Sequence, residues 1–212
     1  MPRIVFALAA AAHLYMLFRV LRLRLGAPEV IVAFLFTALA FDNLVLLFGD
    51  LVLGTGSFEI ASWARYGAHV AVLPFLVQAA RMVAVRANVV SAGNALVNVA
   101  AWVAVAAGIA WGIATELVGL VLVEAELLGH VRLVSADAHP PLATILTNII
   151  VLGFAIAIWR RSGWPWAFAG TLMIFVVNGA SAGSDWGIVA GNIAEIGFAA
   201  SWVATLFRFP AD

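Results

Sequence analysis

PEVIVAFLFTALAFDNLVLLFGDLVL (28–53) is long enough to cross a bilayer and almost wholly apolar, yet it holds Asp42 near its middle. A bilayer core of about 30 Å needs roughly 20 apolar residues at 1.5 Å rise each, so this stretch reads as a spanning helix. Six further stretches read the same way, at roughly 3–24, 57–82, 88–112, 139–160, 163–184 and 186–208. The expected architecture is all-α: a polytopic membrane protein in which one seven-helix transmembrane domain occupies residues 1–212.

Composition agrees. The 212 residues are 65% hydrophobic and 10% charged, whereas a soluble domain is about half apolar and a quarter charged. Net charge is zero with His neutral, so nothing points to a nucleic-acid partner. There is no Cys, which excludes disulfides, thiolate metal sites and Cys nucleophiles. All 11 basic residues are Arg, which excludes a lysine Schiff base. The Ala, Val, Gly and Arg bias suits a GC-rich bacterial genome, hence a multi-pass protein of the bacterial inner membrane.

Arginines mark one set of ends: Arg19, Arg22 and Arg24, then Arg81 and Arg86, Arg160 and Arg161, and Arg208. Acids mark the other: Asp50, Glu59, Glu116, Asp137 and Asp185. The positive-inside rule then predicts an outer N-terminus and a cytoplasmic C-terminus, with Arg3 and Arg132 as exceptions. Trp63, Trp111, Trp159, Trp164, Trp166 and Trp186 lie near span ends, where an aromatic belt belongs. Met1–Arg3 is a short start for a cleaved signal, and the apolar run after it ends in Arg, as an anchor does.

Residues 113–138 form the one substantial loop, too interrupted to span. They suit an interfacial helix, a short β-hairpin turning near Leu128–Gly129, or a solvated connector; on the expected topology they lie outside, able to lid a cavity. Glu124, Glu126, His130, Asp137 and His139 are cation-binding types, but their spacing matches no familiar motif. The segments 56–81 and 183–208 share their length, a Gly-Ser start and an Arg end, a faint sign of parallel repeats.

Helical rise brings the polar residues to one depth. Asp42 lies about 12 Å inside its helix end, Arg65 about as deep on the third helix, and His69 one turn below Arg65 on the same face. Glu195 lies about 13 Å into the seventh helix, with Asn192 on its face. His13, Asn148 and Asn178 fall at similar depth, and Asn43 follows Asp42. Ionisable groups in hydrocarbon are costly and mark function by default. The expected catalytic set is Asp42, Glu195, Arg65 and His69, with His13, Asn43, Asn148, Asn178, Asn192 and Trp202 lining a substrate pocket. Each also has a purely structural reading: a buried ion pair that fixes packing, or Asn side chains bonding helix to helix.

Three chemistries fit the cluster. Burial disfavours the ionised form of a carboxyl group, and a neutral carboxyl is a general acid at neutral pH. With a second carboxylate held ionised by Arg, the pair suits protonating an alkene or epoxide and later removing a proton, aromatic faces steadying the cation between. That is an intramembrane enzyme for a lipophilic small molecule, an isoprenoid, within membrane lipids. A transporter or a ligand or proton sensor is the alternative, although helix 3 below His69 offers only Gln78 as a polar step. A zinc, iron or haem site built on His13, His69, Asp42 and Glu195 is the third; HxxxH and HExxH spacings are absent and Arg65 repels a cation, so no metal or cofactor is assigned.

ALAFDNLVLLF (38–48) and GNIAEIGFAASWVATLFRF (191–209) carry a resemblance. In overall plan the chain resembles the small seven-helix integral-membrane terpene cyclases of meroterpenoid and indole-terpenoid pathways, which have one essential acid in helix 2 and another in helix 7. The resemblance implies a cyclase or isomerase, of lyase type, with Asp42 and Glu195 in the acid positions. In that family the helix 2 acid is usually a Glu after a Trp; here Phe41 precedes Asp42.

Overall fold

The computed structural model describes residues 2–91, 94–127, 129–137 and 140–211. The helices are α1 (Pro2–Leu21), α2 (Ala27–Phe48), α3 (Gly56–Val72), α4 (Leu76–Arg86), α5 (Ala95–Gly112), α6 (Leu142–Ser162), α7 (Trp166–Ser181) and α8 (Gly187–Arg208). One 3₁₀ turn, Leu73–Phe75, joins α3 to α4, so Gly56–Arg86 is a single bent span. Among the described residues six segments are long and apolar enough to cross a membrane; α7 is apolar but shorter.

Local chemistry sets the ends. Pro28 occupies the first turn of α2, and Glu29 reaches back to accept from the Gly26 amide at 3.0 Å. Thr55 caps α3 by accepting from Phe58 N at 3.3 Å, and Asn94 caps α5 by accepting from Val97 N at 3.1 Å. Pro74 lacks an amide hydrogen and crowds the preceding turn, which breaks the third span where a continuous helix over 57–82 is expected. The fourth span starts at Ala95 rather than residue 88. Asn88 has left-handed backbone (φ 56°), which ends α4 and its last turn. Pro165 and the left-handed Gly163 separate α6 from α7.

The helices close into a ring: α1 packs on α2, α2 on α3 and α4, α4 and α5 on α6, α6 on α7, α7 on α8, and α8 back on α1. The α7–α8 contact is close. A Cβ at Gly170 would meet Ser201 Oγ at 1.9 Å, and one at Gly191 would meet Asn178 Oδ1 at 2.9 Å. Small residues let two backbones approach where lipid offers no hydrophobic drive for association. The main core joins Leu35, Phe36, Leu76, Phe198, Trp202 and Leu206. The two segments suspected of repeating fold differently, since 56–81 is interrupted at Pro74 whereas α8 is continuous.

The 113–138 segment resolves the choice between helix and hairpin. After a turn of π-helix at Ile113–Leu117 come β1 (Leu122–Leu127) and β2 (His130–Ser135), antiparallel, with Leu127 opposite His130 and Ala125 opposite Arg132. Gly129, at φ 77°, supplies the left-handed turn residue. His139 and Leu128 lie outside the described residues. Leu127 packs with Phe6, Leu46 and Val189, so the hairpin sits on the bundle and is no free connector.

Arginine-bearing ends gather at the opposite end of the bundle. Arg19 stacks over Phe207 (4.9 Å to the ring centroid), Arg161 donates to Asn88 O at 3.3 Å, and Arg86 donates to Phe209 O at 3.0 Å. Arg86 also pairs with Glu29, whose side chain is fully buried.

Candidate functional site

Asp42, on α2, and Arg65, on α3, meet as the depth arithmetic expects. Arg65 Nε donates to Asp42 Oδ1 at 2.7 Å, with both side chains mostly buried. One turn along α3, His69 lies within electrostatic reach of both. Across the bundle, Glu195 on α8 senses the same pair. All four side chains line one cavity of about 690 Å³, together with Asn178 and Asn192. That volume is in the range of small-molecule sites.

Its polar groups are incompletely matched. Glu195 Oε2 and Asn192 Oδ1 are buried with no hydrogen-bond partner, although Asn192 donates to Ile188 O at 2.8 Å. A buried polar atom left unpaired costs about 1–3 kcal/mol, so such atoms in a cavity wall are positions for a ligand or ordered water.

Four expected pocket residues lie elsewhere. His13 is fully buried on α1, stacked on Phe36 (6.4 Å, 27°) and facing the Glu195 backbone carbonyl from behind the cavity wall. Asn43 points away from Asp42's side and donates to Leu39 O of its own helix at 2.9 Å. Asn148 is buried on α6 outside the lining. Trp202 packs against Phe198 in the core below. His13, His69, Asp42 and Glu195 do not converge as ligands: among the described residues no group of three or more His, Asp or Glu is placed to hold a metal ion.

The hairpin adds residues that depth along helices does not reveal. Tyr66 of α3 accepts from Ser135 N at 2.9 Å, tying β2 over the mouth. His130 is buried and its Nε2 donates to Leu46 O at 2.6 Å, fixing that tautomer. Burial pushes the His130 imidazole below its ordinary 6.5, against the opposing pull of the Leu46 carbonyl. Arg132 enters the cavity wall with Glu126 and Leu127. Burial, and then the like charge of Arg65, lowers the Arg132 pKa from its usual value. The available sequence signal was its position as an exception to the arginine pattern.

Comparison with family models, with curated proteins and with solved structures finds no match. The site therefore rests on its own geometry.

Proposed function

We propose that the protein is an intramembrane acid–base enzyme for a lipophilic, isoprenoid-type substrate. The observation that carries this reading is the pairing of two unlike carboxyls in one cavity. Asp42 is bonded to Arg65 at 2.7 Å, while Glu195 Oε2 is buried without a partner. Arg65 is the bonded counter-ion of Asp42, and Glu195 is the acid. Glu195 delivers its proton to an alkene or epoxide carried in the lipid phase. The resulting cation closes or rearranges and loses a proton to Asp42, His69 or the Glu195 carboxylate. No atom is gained or lost overall, so the product is an isomer of the substrate, as a cyclase or isomerase requires.

A packed apolar core that includes Leu39, Leu76, Phe198 and Trp202 favours a pocket over a through-channel for transport. In this reading the arginine-rich end faces the cytoplasm of a bacterial inner membrane. The N-terminus and hairpin then face outward.

Lipid extracts of cells expressing the native chain are compared by mass spectrometry with those of cells expressing Asp42→Asn or Glu195→Gln. A lipid isomeric with its precursor should form only with the native carboxyls. Identical profiles from all three would reject the enzyme reading.

A further inference from the structure

Hairpin register divides the two strands into two faces. Residues directly opposite share a face, and alternate residues along a strand share it too. His130 with Leu127, and Arg132 with Ala125, therefore lie on one face. His130 and Leu127 are the buried members, so this is the face turned to the bundle, and Arg132 is carried inward with them. Glu124 and Glu126 lie on the other face and are exposed, Glu126 at the edge of the cavity.

A cation on the inner face of a lid needs a counter-charge, and among the described residues none is bonded to Arg132. Arg132 Nε is buried with no hydrogen-bond partner. Among the described residues no carboxylate of the cavity wall, Glu116 and Glu195 included, stands within ion-pair distance of Arg132. Asp42 is the acid nearest to it electrostatically, and Arg65 already bonds that acid. Glu126 and Asp185 are exposed at the mouth, where water screens them. Two guanidinium groups thus stand in one partly desolvated wall, and Asp42 is bonded to Arg65 alone. A guanidinium presents planar, forked donors that match an oxyanion.

We infer that Arg132, with Arg65 beside it, anchors an anionic headgroup on the ligand, so that the cavity takes amphiphilic acids in preference to neutral lipids of the same chain. This rests on the proposed function for the lipophilic part of the ligand. It adds the headgroup chemistry, which nothing in the acid–base reading requires. The headgroup lies under the hairpin and the chain runs toward Glu195.

The test is direct binding to detergent-purified full-length protein, with a C15 isoprenoid carboxylic acid and the C15 alcohol of the same chain as probes. Each is measured on the native chain, Arg132→Gln, Arg132→Lys and Glu124→Gln. The acid-to-alcohol affinity ratio is compared between proteins, which cancels partition into micelles. We expect the native ratio to exceed that of Arg132→Gln by about tenfold, the scale of one charge-assisted hydrogen bond. Arg132→Lys should keep part of the preference and Glu124→Gln, at an exposed residue outside the cavity lining, all of it. Alcohol affinity should be the same in every variant, which also reports that each is folded. An unchanged ratio in Arg132→Gln overturns the headgroup inference alone. No binding of either probe to the native chain overturns the acid–base reading with it. Glu195→Gln that binds the acid normally but yields no isomer separates anchoring from turnover and supports both.

Discussion

Among the described residues two buried Arg–carboxylate pairs stand at opposite ends, and they differ in how completely they are satisfied. At the arginine-rich end Glu29 accepts from Arg86 Nη1, from Arg86 Nη2 at 2.9 Å and from the Gly26 amide at 3.0 Å. Arg86 also donates to Phe209 O. That pair ties α2, α4 and the end of α8 together. At the hairpin end Asp42 takes one bond from Arg65 and faces a cavity where Glu195, Asn192 and Arg132 each have an unbonded buried atom. A closed set of hydrogen bonds holds helices in place. An open set leaves donors and acceptors for something that arrives. An Arg–carboxylate pair thus gives a rivet at one end and part of the candidate site at the other.

The contrast is broken most sharply by exchanging readouts. Glu195→Gln should lower turnover by about a hundredfold or more, the usual scale for a lost general acid, while thermal unfolding in detergent stays near the native temperature. Glu29→Gln should do the reverse. It leaves Arg86 without its counter-ion, a loss of about 3 kcal/mol, with turnover per folded molecule unchanged. If Glu29→Gln abolished turnover without loss of stability, the two ends would not divide as described.

Smaller effects refine the hairpin end. The His130 imidazole is held below its ordinary 6.5 by burial, and the charges of Arg3 and Arg132 push the same way. The undocked hairpin therefore binds more protons below pH 6.5, and protonation favours undocking. Docking should be complete above pH 6.5 and weaken as pH falls beneath it. The check is hydrogen exchange of the β2 amides, corrected for intrinsic rates; His130→Phe should flatten the dependence. Tyr66→Phe removes the hydroxyl that accepts from Ser135 N, and should loosen β2 by about 1 kcal/mol in the same measurement. The Leu127 side of the hairpin should hold.

Sequence reading succeeded where one coordinate was enough. A fixed rise per residue gives depth, and depth placed Asp42, Arg65, His69, Asn178, Asn192 and Glu195 at one level, where a single cavity joins them. It failed where direction around the helix decides. Adjacent residues differ by about 100° in direction, so Asn43 turns away from the side that Asp42 uses. His13, Asn148 and Trp202 likewise have suitable positions along their helices and face other neighbours. Glu29–Arg86 and Arg132 were beyond it for another reason: their surroundings come from segments distant in the chain. Arg86 read as a topogenic charge, and Arg132 as an exception to the same rule. The hairpin itself was legible as one of three options, beside an interfacial helix and a solvated connector, and the Gly129 turn and the apolar seat of Leu127 decide it.

α7 spans 16 residues, about 24 Å of helix against a hydrocarbon thickness of about 30 Å. A helix shorter than its bilayer draws the surrounding lipid thinner. The turn after α7, Ala182–Asp185, is part of the cavity mouth. Under the proposed function, lipid headgroups beside α7 would be drawn toward the level of that mouth, and a substrate dissolved in the leaflet would meet the opening from the side. Thickness then becomes a control on entry: reconstitution in shorter-chain phospholipids should speed ligand uptake and longer chains should slow it.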